Sequence, residues 1–187
     1  MTIAIRWGIL GTGSIAKQFA RGLADTSDAV LQSVGSRTQD NADAFGEAFS
    51  VPTRHASYET LANDPEVDAI YVSTPHPLHK DNSILCLQAG KAVLCEKPFT
   101  INAAEAKAVV EVARARGVFL MEAMWSRFFP AMQQVKKWLD ERAIGEVRLV
   151  NADFGFRAGI NPEGRLFNPL LGGGALLDVG IYATSFA

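Results

Sequence analysis

The chain has 187 residues, which corresponds to one domain of about 150 residues and a remainder. Hydrophobic residues make up 48% of it and charged residues 20%, a composition that excludes a disordered chain and a coiled coil. The 18 basic and 20 acidic residues give a formal net charge of −2, so we expect neither a nucleic-acid partner nor a polybasic membrane anchor.

Short apolar runs alternate with longer helical stretches over the first two-thirds of the chain. The predicted strands cover residues 2–10, 29–35, 68–73, 91–95 and 118–121, and the predicted helices cover residues 15–24, 40–49, 78–89 and 102–116. The strands are continuous apolar runs, which is typical of strands buried on both faces of a sheet. Because helices separate the strands, the order predicts right-handed crossovers and a doubly wound parallel α/β sheet of the Rossmann type over residues 1–121.

The pattern changes after Met121. The sequence predicts an amphipathic helix over residues 130–143, a half-exposed strand over residues 146–156 and a polar loop over residues 159–169. The glycines at 172–174 then precede a last helical stretch. One helix and one strand would leave the backbone groups of the strand unpaired, so residues 122–187 are predicted to form the start of an incomplete α+β substrate domain.

The cysteines and the beginning of the chain indicate the compartment. Cys86 and Cys95 are too few for a disulfide framework, and no cluster of metal ligands accompanies them. Residues 1–10 lack the charged-then-apolar pattern of a signal peptide. No apolar run approaches the roughly 20 residues of a membrane span. We therefore expect a cytoplasmic protein without a metal site.

A glycine-rich turn lies between the first predicted strand and the first predicted helix. Gly11, Gly13 and Ala16 have the G-x-G-x-x-A spacing of dinucleotide-binding turns. Gly11 suits a tight turn, Gly13 lets the backbone approach a pyrophosphate, and the helix N-terminus offers N–H groups to it. The predicted cofactor-binding residues of this turn are Gly11, Thr12, Gly13, Ser14 and Ile15. The alternative is a turn with only a structural role, which the strand–turn–helix context disfavours.

The end of the second predicted strand indicates which dinucleotide binds. NAD sites place an acidic residue there, about 20 residues after the glycine turn, to bind the ribose 2′-hydroxyl. This sequence has Gly35, Ser36 and Arg37 instead, and a hydroxyl and a guanidinium suit a 2′-phosphate that a carboxylate would repel. Asp40 is a rival acid, but its place before a helix favours an N-cap, and the alternative for Arg37 is a solvated surface charge. The pair of Ser36 and Arg37 favours NADP over NAD.

Several ordered motifs resemble one known family. They are Gly11-Thr12-Gly13, Glu96-Lys97-Pro98 and the segment GGGALLDVGIY that ends at Tyr182. Together they resemble the glucose–fructose oxidoreductase / inositol dehydrogenase (Gfo/Idh/MocA) family over the whole chain. Residues 121–128 (MEAMWSRF) and the tyrosine of the last motif are most similar to the dimeric dihydrodiol dehydrogenases and NADP-dependent D-xylose dehydrogenases.

The resemblance implies that Lys97 is the catalytic lysine. Lys97 follows a predicted strand at its carboxyl end, where open α/β sheets bind their ligands. Side chains alternate along a strand, so Lys97 can face the crevice while Glu96 braces neighbouring backbone; both are predicted to line the cofactor site. The resemblance also leads us to expect a cis bond before Pro98. The alternative for Lys97 is a surface lysine.

The resemblance further implies a lysine–tyrosine pair, with Tyr182 as acid/base on the substrate oxygen and Lys97 stabilising its charge. A free tyrosine is a poor proton-transfer group at neutral pH, and a nearby ammonium stabilises the tyrosinate. Asp178 and Tyr182 share one face of a helix, and Asp178 would orient the substrate or Lys97. The glycines before them would allow backbone to approach a ligand. The alternative is a helix-capping Asp178 and a core Tyr182.

The loop after the third predicted strand contains Thr74, His76 and His79. The resemblance places this loop beside the nicotinamide ribose, and we predict a cofactor contact for all three residues. On their own, the histidines look like residues at the entry of a helix, and without carboxylate or thiol neighbours they have no predicted metal role. Arg127 and Trp125 could reach a substrate, and the alternative for Trp125 is a structural position under a helix.

The sequence therefore predicts an NADP-dependent oxidoreductase that moves a hydride between nicotinamide and a carbon bearing a hydroxyl. The expected substrates are an aldose such as xylose or a cyclic trans-dihydrodiol. One alternative is a shortened family member that binds NADP(H) with little or no catalysis, and another is a structural partner whose missing strands come from another subunit. Because the second domain of the family forms a dimer interface, the resemblance implies a homo-oligomer for the full-length protein.

Overall fold

The computed structural model describes residues 4–187, so residues 2 and 3 of the first predicted strand lie outside the described residues. The chain divides into two compact units, with the boundary between Glu122 and Ala123. None of the helices in the described residues combines the length and the hydropathy needed to cross a bilayer.

A six-stranded parallel sheet runs through the described part of the first unit. Its strands are β1 (Ile5–Leu10), β2 (Ala29–Gly35), β3 (Thr53–His55), β4 (Ala69–Val72), β5 (Ala92–Cys95) and β6 (Leu120–Glu122). Their order in the sheet is β3-β2-β1-β4-β5-β6, and every pair of neighbours is parallel. The strand order reverses between β1 and β4, which is the position where doubly wound sheets bind their ligands. The predicted Rossmann-type sheet is confirmed.

Helices connect the strands, and polar side chains begin most of them. The helices are α1 (Ser14–Ala24), α2 (Gln39–Phe49), α3 (Tyr58–Ala62), α4 (His79–Gln88) and α5 (Ala103–Arg116). The side chains of Thr38, Ser57 and Asn102 accept the N-cap hydrogen bonds of α2, α3 and α5. Asp40 lies in the first turn of α2, so the prediction of Asp40 as N-cap is wrong, because Thr38 already provides that acceptor.

The core lies where the helices pack on the central strands. All four residues of β4 are buried, as expected for a strand covered on both faces. The core also includes both free cysteines, and burial raises the pKa of each thiol to about 12. The sequence did not predict β3 and α3, because the three residues of β3 are polar and only partly buried and α3 has a single turn's length.

The second unit contains helices and long stretches without regular structure. A 3₁₀ turn spans Trp125–Phe128, α6 spans Pro130–Asp140, a second 3₁₀ turn spans Pro169–Leu171, and a π turn, Leu176–Gly180, leads into α7 (Ile181–Phe186). The predicted helix over residues 130–143 ends early, since Arg142 has a left-handed φ of 55°.

The predicted strand over residues 146–156 is wrong. Residues 147–161 have no regular secondary structure, although their apolar and polar side chains alternate as in a strand. A strand exists only when its backbone groups pair with a neighbour, and the described residues of the second unit contain no strand that could pair with this segment. Its apolar side chains are exposed as a result, among them Val147, Leu149 and Phe156.

Candidate functional site

The glycine-rich turn lies at the carboxyl end of β1, and its two glycines have different surroundings. Gly11 has a φ of +103°, and a Cβ there would lie 3.0 Å from Ser73 Oγ. The same hydroxyl donates to Leu10 O at 3.0 Å, so the turn packs against the loop after β4. A Cβ on Gly13 would have no heavy atom within 4 Å. The fold therefore requires glycine at Gly11, whereas Gly13 faces open space.

The N-terminus of α1 has the features of a phosphate site. Its N-cap is Gly13, which has no side chain to accept a hydrogen bond, and its first turn contains no acidic residue. The first intrahelical bond runs from Lys17 N to Gly13 O, so the N–H groups before it have no acceptor within the helix. Gly13 and Ser14 are exposed, while Ala16 is fully buried under the helix. These residues fit the pyrophosphate of a dinucleotide, because open N–H groups and the positive end of the helix dipole meet in one cradle.

Ser36 and Arg37 follow β2 at the same edge of the sheet. The N–H of Ser36 donates to His55 O at 3.0 Å, while the side chain of Arg37 is exposed. A Cβ on Gly35 would lie 2.9 Å from two side-chain atoms of Leu61, so the packing of α3 excludes an acidic residue at that position. Burial raises the pKa of Tyr58, and the guanidinium of Arg37 opposes this shift, which places the charge of Arg37 near the phenol.

His79 links the loop after β4 to the turn after β5. It is fully buried, with Nε2 at 2.7 Å from Thr74 O and Nδ1 at 2.8 Å from Pro98 O. Both ring nitrogens thus lie against backbone carbonyls inside the protein, and the predicted cofactor contact of His79 stays a prediction. The ring of His76 packs edge-on against it at 5.7 Å.

Glu96 fixes the backbone that carries Lys97. Its carboxylate is buried and accepts hydrogen bonds from the hydroxyl of Tyr71 and, at 3.1 Å, from the N–H of Lys97. Burial raises the pKa of Glu96, and these two hydrogen bonds oppose that shift. Burial also raises the pKa of Tyr71, with the charge of Glu96 as the second cause, so the phenol stays protonated and donates. Glu96 thus braces neighbouring backbone as predicted.

Lys97 lies directly after β5, at the carboxyl edge of the sheet that also holds the glycine turn. Its side chain is half-buried, and the Lys97–Pro98 bond is cis, as expected. The part played by Tyr71 was not predicted, since its apolar neighbours in the sequence suggested only a core position. Within the described residues, no group of three or more His, Cys, Asp and Glu side chains could hold a metal ion.

In the second unit, Tyr182 belongs to a group of packed aromatic side chains. Trp125 Nε1 donates to this hydroxyl at 2.9 Å. The ring of Phe154 lies 5.1 Å from the ring of Tyr182, and the ring of Phe129 lies 4.9 Å from that of Trp125. Because Trp125 is 49% exposed, it does not occupy the structural position under a helix that was the alternative. We call Trp125, Phe129, Phe154 and Tyr182 the aromatic cluster.

The side chain of Arg127 binds Ser185 in α7. Its Nε donates to Ser185 Oγ at 2.8 Å and its Nη2 to Ser185 O at 3.2 Å. These bonds attach the 3₁₀ turn of Trp125–Phe128 to the end of α7. The guanidinium therefore holds the helix that carries Tyr182, and a contact between Arg127 and a substrate stays a prediction.

Asp178 lies in the π turn before α7, a local geometry that is frequent at functional sites. Its side chain is buried and Arg165 Nη1 donates to its Oδ1 at 2.7 Å. Gly173 serves the packing of the chain, because a Cβ there would lie 2.7 Å from Asn168 O, whereas a Cβ on Gly174 would meet no heavy atom within 4 Å. The approach of a ligand to this glycine segment stays a prediction. Arg165 was missed because only the folded loop brings it to Asp178.

Comparison with known proteins identifies the family. Residues 5–124 match the model of the Gfo/Idh/MocA oxidoreductase family with its NAD-binding Rossmann fold, and residues 132–187 match the Gfo/Idh/MocA C-terminal domain. The chain belongs to the Gfo/Idh/MocA family. The resemblance found in the sequence motifs is confirmed, and the first unit is an NAD(P)-binding Rossmann domain.

Two curated relatives of the chain carry the same name. The chain is 46% identical to trans-1,2-dihydrobenzene-1,2-diol dehydrogenase of Mus musculus, over 98% of this chain and 55% of that protein. It is 42% identical to the protein of the same name in Xenopus laevis, over 98% of this chain and 56% of that protein. The chain thus spans about half the length of the curated relatives that it matches.

Solved structures of the family have the same architecture. The aldose–aldose oxidoreductase of Caulobacter crescentus, crystallised with glycerol, has a TM-score of 0.90 and 31% identity, over 98% of this chain and 56% of that chain. The 3-ketoreductase KijD10 of Actinomadura kijaniata, crystallised with NADP and TDP-benzene, has a TM-score of 0.81 and 34% identity, over 96% of this chain and 55% of that chain.

Proposed function

We propose that this chain is the cofactor-binding and proton-transfer part of an NADP-dependent oxidoreductase that acts on a hydroxyl of a cyclic diol or a sugar. The observation that carries the proposal is that the uncapped N-terminus of α1 and Lys97 lie at the same edge of a parallel sheet. Ligands of doubly wound sheets bind at this edge.

The proposal assigns the cofactor to NADP. Arg37 is exposed and its charge acts on the half-buried Tyr58, and Gly35, Ser36 and Arg37 include none of the acidic residues that NAD sites place at the end of this strand. Ser36 supplies a hydroxyl next to the guanidinium. The cradle at Gly13 would hold the pyrophosphate, and the loop that contains Thr74 and His76 would border the nicotinamide ribose, as the family resemblance implies.

When bound, the nicotinamide supplies or accepts the hydride. The proposed acid/base is Tyr182, which donates its proton to the substrate oxygen during reduction and takes it back during oxidation. The N–H of Trp125 donates to the same hydroxyl oxygen, so it stabilises the negative charge that forms when the proton leaves. Lys97 is proposed to stabilise this charge as well, and Asp178 to orient the substrate, as the family resemblance implies.

The aromatic cluster supports a ring-shaped substrate. Trp125 and Phe154 are exposed beside the ring of Tyr182, and the exposed Phe129 packs against Trp125; exposed aromatic faces bind apolar rings. A cyclic trans-dihydrodiol has such a face together with a reactive hydroxyl, and the curated relatives carry the name of enzymes that act on such a diol. A sugar such as xylose is the competing substrate.

A second candidate is a chain that binds NADP(H) with little turnover. The extended segment 147–161 lacks sheet neighbours in the described residues, and its apolar side chains are exposed. A substrate pocket that needs this segment in a sheet would then be incomplete. A homo-oligomer and a cytoplasmic location stay predictions.

The test measures binding and turnover side by side. NADPH fluorescence titration gives the dissociation constant, and the absorbance of reduced nicotinamide follows turnover with a trans-dihydrodiol and with D-xylose. Binding with turnover that Tyr182→Phe reduces at least 100-fold supports the enzyme. Binding without turnover selects the second candidate, and the absence of NADPH binding contradicts both.

A further inference from the structure

Arg165 lies in the polar loop predicted over residues 159–169, and its side chain contacts Asp178. Its Nη1 is 2.7 Å from Asp178 Oδ1, and the side chains are 56% and 10% exposed, respectively. A half-exposed guanidinium thus contacts a carboxylate that is almost fully shielded from solvent. Arg165 has no place in the family motifs quoted above or in the proposed chemistry.

The loop is folded so that Arg165 has a fixed position. Phe167 N donates to Gly164 O at 3.0 Å, and Gly174 N donates to Leu166 O at 3.0 Å. These bonds attach the backbone on both sides of Arg165, and the second one joins it to the glycine segment that leads into the π turn. The ion pair is therefore not a contact between two mobile surface side chains.

Backbone packing on the other side of the loop strengthens this arrangement. Gly173 N donates to Asn168 O at 2.9 Å, and Asn168 Oδ1 accepts from Leu170 N at 2.9 Å. A Cβ on Gly173 would lie 2.7 Å from Asn168 O and 2.7 Å from Phe167 C. The backbone of the loop thus touches the backbone of the glycine segment. This contact fixes the position of Arg165 relative to Asp178.

A buried carboxylate is costly unless a partner compensates its charge. A guanidinium keeps its charge at every pH at which proteins are folded, and it binds a carboxylate oxygen in a defined direction. We propose that Arg165 is a positioning residue that holds the carboxylate of Asp178 ionised and in one orientation, ready to accept a hydrogen bond from a substrate hydroxyl. This inference rests on the proposed function, in which Asp178 orients the substrate.

The experiment compares Arg165→Met, Arg165→Lys and the control Arg157→Met, an exposed arginine of the same unit. Arg165→Met is expected to lower kcat/KM for the diol by roughly 10- to 100-fold, the range expected when a substrate-orienting group is misplaced. Its NADPH dissociation constant stays within about twofold, because the pyrophosphate cradle lies on other residues. Arg165→Lys restores part of the loss, and Arg157→Met has no effect.

Asp178→Asn separates this inference from the proposed function. Unchanged activity of Asp178→Asn contradicts the role that the proposed function gives to Asp178. A loss in Asp178→Asn together with full activity of Arg165→Met overturns the positioning role alone.

A second measurement tests the ion pair without turnover, so it also applies if the chain binds NADPH but does not catalyse. The side-chain carboxyl signal of Asp178 is followed by ¹³C NMR and assigned by its absence in Asp178→Asn. Arg165→Met is expected to move its titration to higher pH, because the nearby positive charge that favours the ionised form is gone, while Arg157→Met leaves it unchanged. The same titration in wild type and Arg165→Met would refute the inference, and thermal unfolding shows whether each variant is folded.

Discussion

The indole Nε1 of Trp125 donates a 2.9 Å hydrogen bond to the hydroxyl oxygen of Tyr182. The two residues are 57 positions apart in the sequence, and the bond brings a neutral donor to the oxygen that the proposed reaction would leave negatively charged. A donor at that oxygen is most valuable in the deprotonated state, because hydrogen bonds to charged groups are stronger than those to neutral ones.

Replacing Trp125 with Phe should remove this donor and keep an aromatic ring in the aromatic cluster. A hydrogen bond to a charged group contributes about 1.5–3 kcal/mol, so we expect kcat to fall roughly 10- to 100-fold with unchanged NADPH binding. Steady-state kinetics and NADPH titration check this. Trp138→Phe, on the exposed face of α6, is the control, and an equal loss in both variants would count against the role of Trp125.

Arg37→Ala should weaken the binding of NADPH much more than that of NADH. The loss of a charge-assisted contact to the 2′-phosphate corresponds to roughly 10- to 100-fold in the dissociation constant, while NADH has no phosphate there. Fluorescence titration with both cofactors measures the two losses. Arg21→Ala, in the last turn of α1, is the matched control. Equal losses for NADPH and NADH would remove the assignment to NADP.

The two glycines of the turn should respond differently to substitution by Ala. Gly11→Ala forces a side chain into a left-handed φ and against Ser73 Oγ, so we expect a loss of about 1–3 kcal/mol in the free energy of unfolding. Gly13→Ala meets no protein atom, so its stability should change by less than about 1 kcal/mol, while NADPH binding is lost because the methyl group fills the cradle. Chemical denaturation and NADPH titration distinguish them; a destabilised Gly13→Ala with normal binding would refute this interpretation.

Acidification should weaken the hydrogen bonds that the buried carboxylate of Asp64 accepts next to β2. Ser33 Oγ and His55 Nε2 lie 2.6 and 2.9 Å from Asp64 Oδ2. Burial opposes the ionisation of Asp64, but these hydrogen bonds and one from the N–H of Glu66 hold its pKa below the ordinary value of 3.8. A lowered pKa contributes stability that is present above the ordinary value and lost as the pH falls through the folded value.

Asp64→Asn should therefore lower the free energy of unfolding at pH 7 by about 1–3 kcal/mol, and the difference from the wild type should shrink as the pH falls below about 4. Urea denaturation at a series of pH values measures both effects. Asp153→Asn, at an exposed position, should change little. A difference between wild type and Asp64→Asn that grows on acidification would show the opposite sign.

The sequence predicts the sheet well where strands are apolar and helices are long. β2 was predicted with its observed bounds, because seven residues of mostly apolar type lie between two turns. β3 escaped detection because its polar residues form a strand only through pairing with β2. Residues 147–161 show the converse, since a strand-like pattern without a neighbour does not form a strand.

The places of Gly11 and Lys97 were predictable, because each follows an apolar strand. The site was not predictable where the role depends on a distant partner. Tyr71 meets Glu96 across 25 positions, and Arg165 meets Asp178 across 13. Neither contact follows from spacing along a helix or a strand. Only the folded chain shows which carboxylate binds Tyr71 and which binds Arg165.

The buried ring of His79 has a mechanical consequence. It joins the carbonyl of Thr74 to the carbonyl of Pro98, one on each side of the crevice end of the sheet between β4 and β5. Neither peptide can shift outward without stretching a bond to the same rigid five-membered ring. The segment that follows β4 and the turn that follows β5 are therefore tied to each other through one side chain, next to the backbone that carries Lys97.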